Sequence, residues 1–288
     1  DNPDQTFKFS MHKAISYEEY AFLAPEEISV IWGITPLPLE VSHFAGKEWT
    51  AFYNLPDSLK KGWCRHLITE VEAGRDCTEF EQIAMEVSEG RGALATEMAK
   101  AMQNSALLTS APVQNRVIMF LNLLGTTEGA LNDVDQINKM RSNFSLTITD
   151  LAMHADCMFL YNPATQLYEA RKYQNVLSLI FRDGACQDMI RLWHLCHQQQ
   201  ILELCKLHDR WDFTFFALSH AHSHVAAGFL DILEEAIQDG RATSISPNEV
   251  HTILRTALAD NRITLERVLN FLSSYNQVPS FHTQVEDE

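Results

Sequence analysis

No stretch of the chain is apolar over the ~18 residues that a membrane-spanning helix needs, so no transmembrane span is read from it. Basic runs are equally scarce. The longest are the pairs Lys60-Lys61 and Arg171-Lys172. They do not offset a formal net charge of −16, built from 38 acidic and 22 basic side chains. A field of that sign repels phosphate backbones and anionic lipid surfaces. Nucleic acid is therefore excluded as an expected partner, and a protein with a basic surface is favoured. The six cysteines contain no C-x-x-C pair and no spacing of a disulfide framework. Free thiols in a reducing compartment are the expectation, which places the chain in a cytoplasm, its own or one into which it is delivered. No signal-peptide pattern opens the sequence. Phosphate-cradling loops of the G-x-x-x-x-G-K-[ST] or G-x-G-x-x-G type are missing, as is the kinase signature set. The motifs call for no cofactor.

What is present is apolar mass. Of 288 residues, 46% are hydrophobic, enough to bury a substantial core. The first 55 residues read as an irregular region, broken by Pro25, Pro36 and Pro38. Two short β-branched and aromatic runs, 28–32 and 49–53, have strand character. From Pro56 onward the helical period dominates. Asp57 or Ser58 is a candidate N-cap for a helix that Gly74 ends. Thr78 with Glu81 has capping-box spacing for the next helix, and Gly90 and Gly92 interrupt that helix.

Later helices show one-sided apolar stripes. Val113, Val117, Phe120, Leu121 and Leu124 share a face, with Gly125 as the stop. Ala226, Phe229, Leu230, Leu233 and Ile237 form another, stopped by Gly240. Leu265, Val268, Leu269 and Leu272 form a third. The expected fold is mainly α, with a small irregular N-terminal region and a helix-pair array. The boundaries read as 1–104, irregular then helical, 105–276, the array, and 277–288, an acidic tail.

Within the array several segments share one form, a short helix start, a polar turn and a more hydrophobic helix. They are 165–185, 190–207, 214–240 and 253–272, with a fainter copy at 105–125. Thr165, Leu167 and Ala170 fit an opening of the T-P-L-H-x-A kind. Val176–Ile180 fits a second helix, and Gly184-Ala185 a finish. These segments resemble degenerate ankyrin repeats, although other α-solenoids produce similar strings. The opening proline is absent from every copy, and the spacing departs from the regular period of roughly 33 residues. The resemblance implies stacked helix pairs whose shared face recognises a protein. On that reading Trp193, His194, His197, His220 and His224 are the candidate binding residues.

Two catalytic readings stand beside the binding one. Ser219–His224 carries His220, His222 and His224, which invites a zinc site. With the apolar run before it, the segment resembles the H-x-H-x-D-H loop of metallo-β-lactamase-type hydrolases, but the Asp is absent and the third His comes one residue early. A helix through this segment would put His220 and His224 on one face and His222 on another. His194, His197 or His208 could then serve as a third ligand. The other reading is a cysteine-type hydrolase with Cys64 as nucleophile and His43 as base, which requires an imidazole within reach and a depressed thiol pKa.

Overall fold

The computed structural model describes residues 57–74, 92–162, 167–170, 172–242 and 244–275. The irregular region with its two strand-like runs, His43, the capping box at Thr78 and the acidic tail lie outside the described residues. The chain forms two compact units, Asp1–Asp150 and Leu151–Glu288. The fold is mainly helical, as its periodicity predicts.

In the first unit α1 spans Asp57–Glu72 and α2 spans Gly92–Met102. Gly74 closes α1 in the left-handed conformation, φ +75°, that a residue without Cβ adopts freely. Helix α3, Ala106–Ser110, starts at Ser105, whose hydroxyl accepts from the N–H of Leu107. Glu72 at the end of α1 also reaches this start, accepting from the Ser105 hydroxyl and the Ala106 N–H. Helix α4, Val113–Thr126, packs on α2 and on α5, Val134–Asn143. Val117, Phe120, Leu121 and Leu124 of its predicted stripe are buried. Phe120 meets Phe144 edge-on at 6.1 Å. Gly125 does not stop α4, which runs one residue further. The helix stops where the hydroxyl and N–H of Thr127 both turn back to the Leu123 carbonyl. A short helix α6, Ile148–Met153, crosses the boundary between the units.

The second unit begins with an antiparallel hairpin, β1 Leu160–Asn162 and β2 Leu167–Glu169, with Tyr161 opposite Tyr168. Leu167–Glu169, within the opening of the first quoted repeat, is therefore a strand where the resemblance implied a helix. Seven helices follow among the described residues. They are α7 Gln174–Asp183, α8 Cys186–Leu192, α9 Gln198–Leu207, α10 Thr214–His220, α11 Ser223–Gln238, α12 Pro247–Ala259 and α13 Leu265–Tyr275. Contacts run in sequence order, α7 to α9, α9 to α11 and α11 to α13, with α10 to α12 beside them. At the α9–α11 contact Gly228 stands where an added Cβ would lie 2.6 Å from Cδ2 of the buried Leu202. The two helices approach this closely because the position lacks a side chain. Phe213 lies at the centre of the core, 6.4 Å from Phe181, 6.4 Å from Phe229 and 5.8 Å from Trp193.

The third predicted stripe is only half right. Val268, Phe271 and Tyr275 are the buried face of α13, while Leu265 and Leu269 are more than half exposed. The larger rings at 271 and 275 bury more apolar area and fix the rotation of the helix.

Three helices end alike. Asp209, Gly240 and Asn261 have φ of +51°, +70° and +54° and follow α9, α11 and α12. An arginine comes next in each case. The N–H groups of Arg210, Arg241 and Arg262 donate to the carbonyls of Cys205, Ala236 and Ala257, five residues back, the longer bond of a Schellman end. Each guanidinium then reaches the end of an earlier helix. Arg210 donates to the carbonyls of Phe181 and Gly184 at the end of α7, 2.8 and 2.7 Å away. Arg241 pairs with Asp209 at the end of α9. Arg262 donates to the Ala221 carbonyl at the end of α10, at 2.9 Å.

Three stability outcomes are expected in urea denaturation. Arg210→Met should cost about 2–3 kcal/mol, because it removes two bonds from a charged donor. Arg241→Met, which loses a pair at the surface, should cost at most ~1 kcal/mol. Gly228→Val should cost about 1–3 kcal/mol by overpacking the α9–α11 contact.

Candidate functional site: a histidine-rich edge

The turn from α8 to α9, residues 193–197, and the turn from α10 to α11, residues 221–222, lie side by side. The Trp193 ring meets Phe216 of α10 edge-on at 5.5 Å. Gln198, the first residue of α9, accepts the N–H of His222 through Oε1 at 2.8 Å. Gln200 of α9 donates to Gln174 at the start of α7 at 2.6 Å. Three helix starts are thus tied together by glutamine side chains. None of the residues ahead of them, Tyr173, His197 or His222, caps its helix with a side chain.

The run of three histidines is not one helix. Ala221 and His222 are extended, with ψ of 149° and 151°. The peptide group that joins them is occupied on both sides from elsewhere, since Arg262 donates to the Ala221 carbonyl and Gln198 accepts the His222 N–H. The expectation that His220 and His224 share a helical face is overturned by this break. His220 closes α10, with its ring 4.2 Å from Phe216 in a near-parallel stack. Its Nδ1 lies 2.8 Å from the Phe216 carbonyl, so Nδ1 carries a proton and Nε2 is left to solvent. His222 and His224 lie beyond the break with ring centroids 5.8 Å apart.

Of the other candidate binding residues, Trp193 is core. It is buried between Phe213, Phe216 and Phe229. A large ring beside a chain turn covers the apolar ends of two helices, and its polar neighbours take the surface. His194, His197, His220 and His224 are exposed, as is His222.

No group of three or more His, Cys, Asp or Glu is placed to hold a metal ion among the described residues. His208, a suggested third ligand, is engaged elsewhere, with Nε2 2.6 Å from the Ser178 hydroxyl. The zinc reading therefore lacks a converging ligand set in the described part of the chain.

Cys64 sits on α1 and is fully buried. Burial, and then the carboxylate of the buried Glu97 on α2, push its thiol far above the ordinary range. A nucleophilic cysteine requires the opposite shift. Burial likewise pushes Cys196 up to about 12. Cys64, Cys157, Cys186, Cys196 and Cys205 are all free thiols.

Two features had no counterpart in the sequence reading. One is the Ser178–His208 bond between α7 and α9. The other is the set of arginines after left-handed helix ends. Asp239-Gly240-Arg241 and Asp260-Asn261-Arg262 were a visible signal for the latter, because Gly and Asn favour that conformation and arginine suits a helix C-terminus. No protein-family profile, curated protein or solved structure matches this chain.

Cys64 should react with a thiol probe at neutral pH far more slowly than an unfolded cysteine, and only as fast as the protein opens. Peptide mapping of the labelled protein checks this, and rapid labelling at Cys64 would restore the hydrolase reading.

Proposed function

We propose that the chain is a protein-interaction module. Its C-terminal helices form an ankyrin-like or related α-solenoid array, and it binds a partner protein at the histidine-rich edge. One observation carries the reading. His194, His197, His222 and His224 are exposed, and among the described residues no protein hydrogen bond engages their rings. The edge is nevertheless held in place by the buried Trp193 and by the Gln198–His222 bond. Polar rings that the fold does not use, on a rigid support, suit recognition, because little conformational freedom is lost on contact.

The array reading is supported by the order of contacts, in which alternate helices touch successively. Such stacking makes an extended surface from elements that cannot bury their faces singly. The partner we favour has a basic surface. A formal charge of −16 steers such a protein inward, and the imidazoles at the contact offer it hydrogen-bonding groups. The free thiols fit a reducing compartment, and no helix among the described residues is long and apolar enough to cross a membrane.

The test is a variant carrying His194→Ala, His197→Ala, His222→Ala and His224→Ala. Its circular dichroism and melting temperature should match the unsubstituted chain. Its affinity for a partner isolated with the unsubstituted chain should fall by at least about ten-fold, which is about 1.4 kcal/mol. Binding should also weaken as salt is raised. Unchanged affinity in a folded variant would remove the edge from the binding surface.

A further inference from the structure

Helix α7 is tied to α9 at three places. Gln200 reaches Gln174 at its start, His208 meets Ser178 in its middle, and Arg210 holds its final carbonyls. The middle tie contains a group that titrates near neutrality. Ser178 is buried, and its hydroxyl is 2.6 Å from Nε2 of the half-buried His208.

The charged groups around that imidazole are already matched. From α7 it faces Arg182 and Asp183, and from its own turn Arg210. Arg182 pairs with Asp183 at 2.9 Å. Arg210 pairs with Asp212 at 2.8 Å. An imidazolium here would be a third cation, with each nearby carboxylate already holding a guanidinium. The neutral ring adds no such charge, and its Nε2 shares a hydrogen bond with the serine hydroxyl whose direction follows the ring tautomer.

The other contacts along the same row are of a different kind. Gly228 on Leu202 joins α9 to α11 through apolar packing. Arg267 joins α13 to Asp231 and Glu234 of α11, at 2.6 Å each. Neither of these contacts contains an imidazole.

We infer that the α7–α9 contact is a proton-sensitive joint, in which uptake of a proton by His208 loosens α7 from α9 and leaves α9, α11 and α13 stacked. The sign follows from linkage. Burial, then Arg182, with Arg210 adding to them, hold the imidazole pKa below its ordinary value of 6.5. The unfolded chain therefore binds the proton more readily than the folded one. The stabilisation is fully present above 6.5 and is lost as pH falls through that value toward the folded pKa.

Amide hydrogen exchange at about pH 7.5 and about pH 5.5, corrected for intrinsic rates, reads the joint directly. In the unsubstituted chain the amides of α7 should lose protection several-fold more than those of α11. In His208→Gln, which keeps a hydrogen-bonding group and cannot titrate, both helices should respond alike. Equal losses in the unsubstituted chain would overturn the proposal, and so would an extra loss in α7 that persists in His208→Gln. An NMR titration of the His208 ring in the unsubstituted chain decides the matter if the variant does not fold. A midpoint below the ordinary histidine value supports the joint, and one at or above it rejects the joint.

Discussion

A helix ends with carbonyls that its own backbone cannot satisfy. In the C-terminal unit two helix ends have such groups met by arginines that follow a later helix, and at a third end the arginine pairs with a carboxylate. Arg210 serves the end of α7, Arg262 the end of α10, and Arg241 pairs with Asp209 just beyond α9. Each arginine is itself positioned by a left-handed residue, so the two events are linked. The chain turns sharply after one helix, and the turn aims a guanidinium at the previous helix of the same row. This couples neighbours that the apolar core alone would leave free to slide. Arg210 contributes most, because it is the least exposed of the three and is held by Asp212 on its other side.

The parts of this fold legible in the sequence are those governed by local chemistry. The span of α1, Asp57–Glu72 with the left-handed Gly74 just beyond it, was legible, although Asp57 and Ser58, expected as caps, are its first helical residues. The buried face of α11, with Phe229, Leu230 and Leu233, follows from its period. Local chemistry also misled at particular places. The stripe of α13 included Leu265 and Leu269 because leucines at helical spacing look like a core face. Phe271 and Tyr275 take that face instead, and only the packing partner decides between the two sets. The segment at Leu167–Glu169 pairs as a strand with Leu160–Asn162, which no reading of its own three residues could reveal.

The histidine run was the least legible part of the candidate site. Its residues permit a continuous helix, and the period beginning at Ala226 encourages one. The break at Ala221-His222 is imposed by Arg262 and Gln198, distant in sequence. Trp193 was misread for a related reason. A tryptophan beside histidines in a polar turn has the composition of a binding surface, yet the nearby rings of Phe213 and Phe229 enclose it. Cys64, offered by the sequence as a nucleophile, is buried. The added effect of Glu97 required the pairing of α1 with α2.

The bond from Arg262 to the Ala221 carbonyl spans 41 residues and has a consequence for how the chain is made. Synthesis runs from the amino terminus, and domains begin to fold as they emerge. When His220, His222 and His224 leave the ribosome, the side chain that holds the break between them does not yet exist. The edge is completed only after α12 has been translated and folded back. A chain cut short before that point would lack one of the two bonds at the break and keep the one to Gln198.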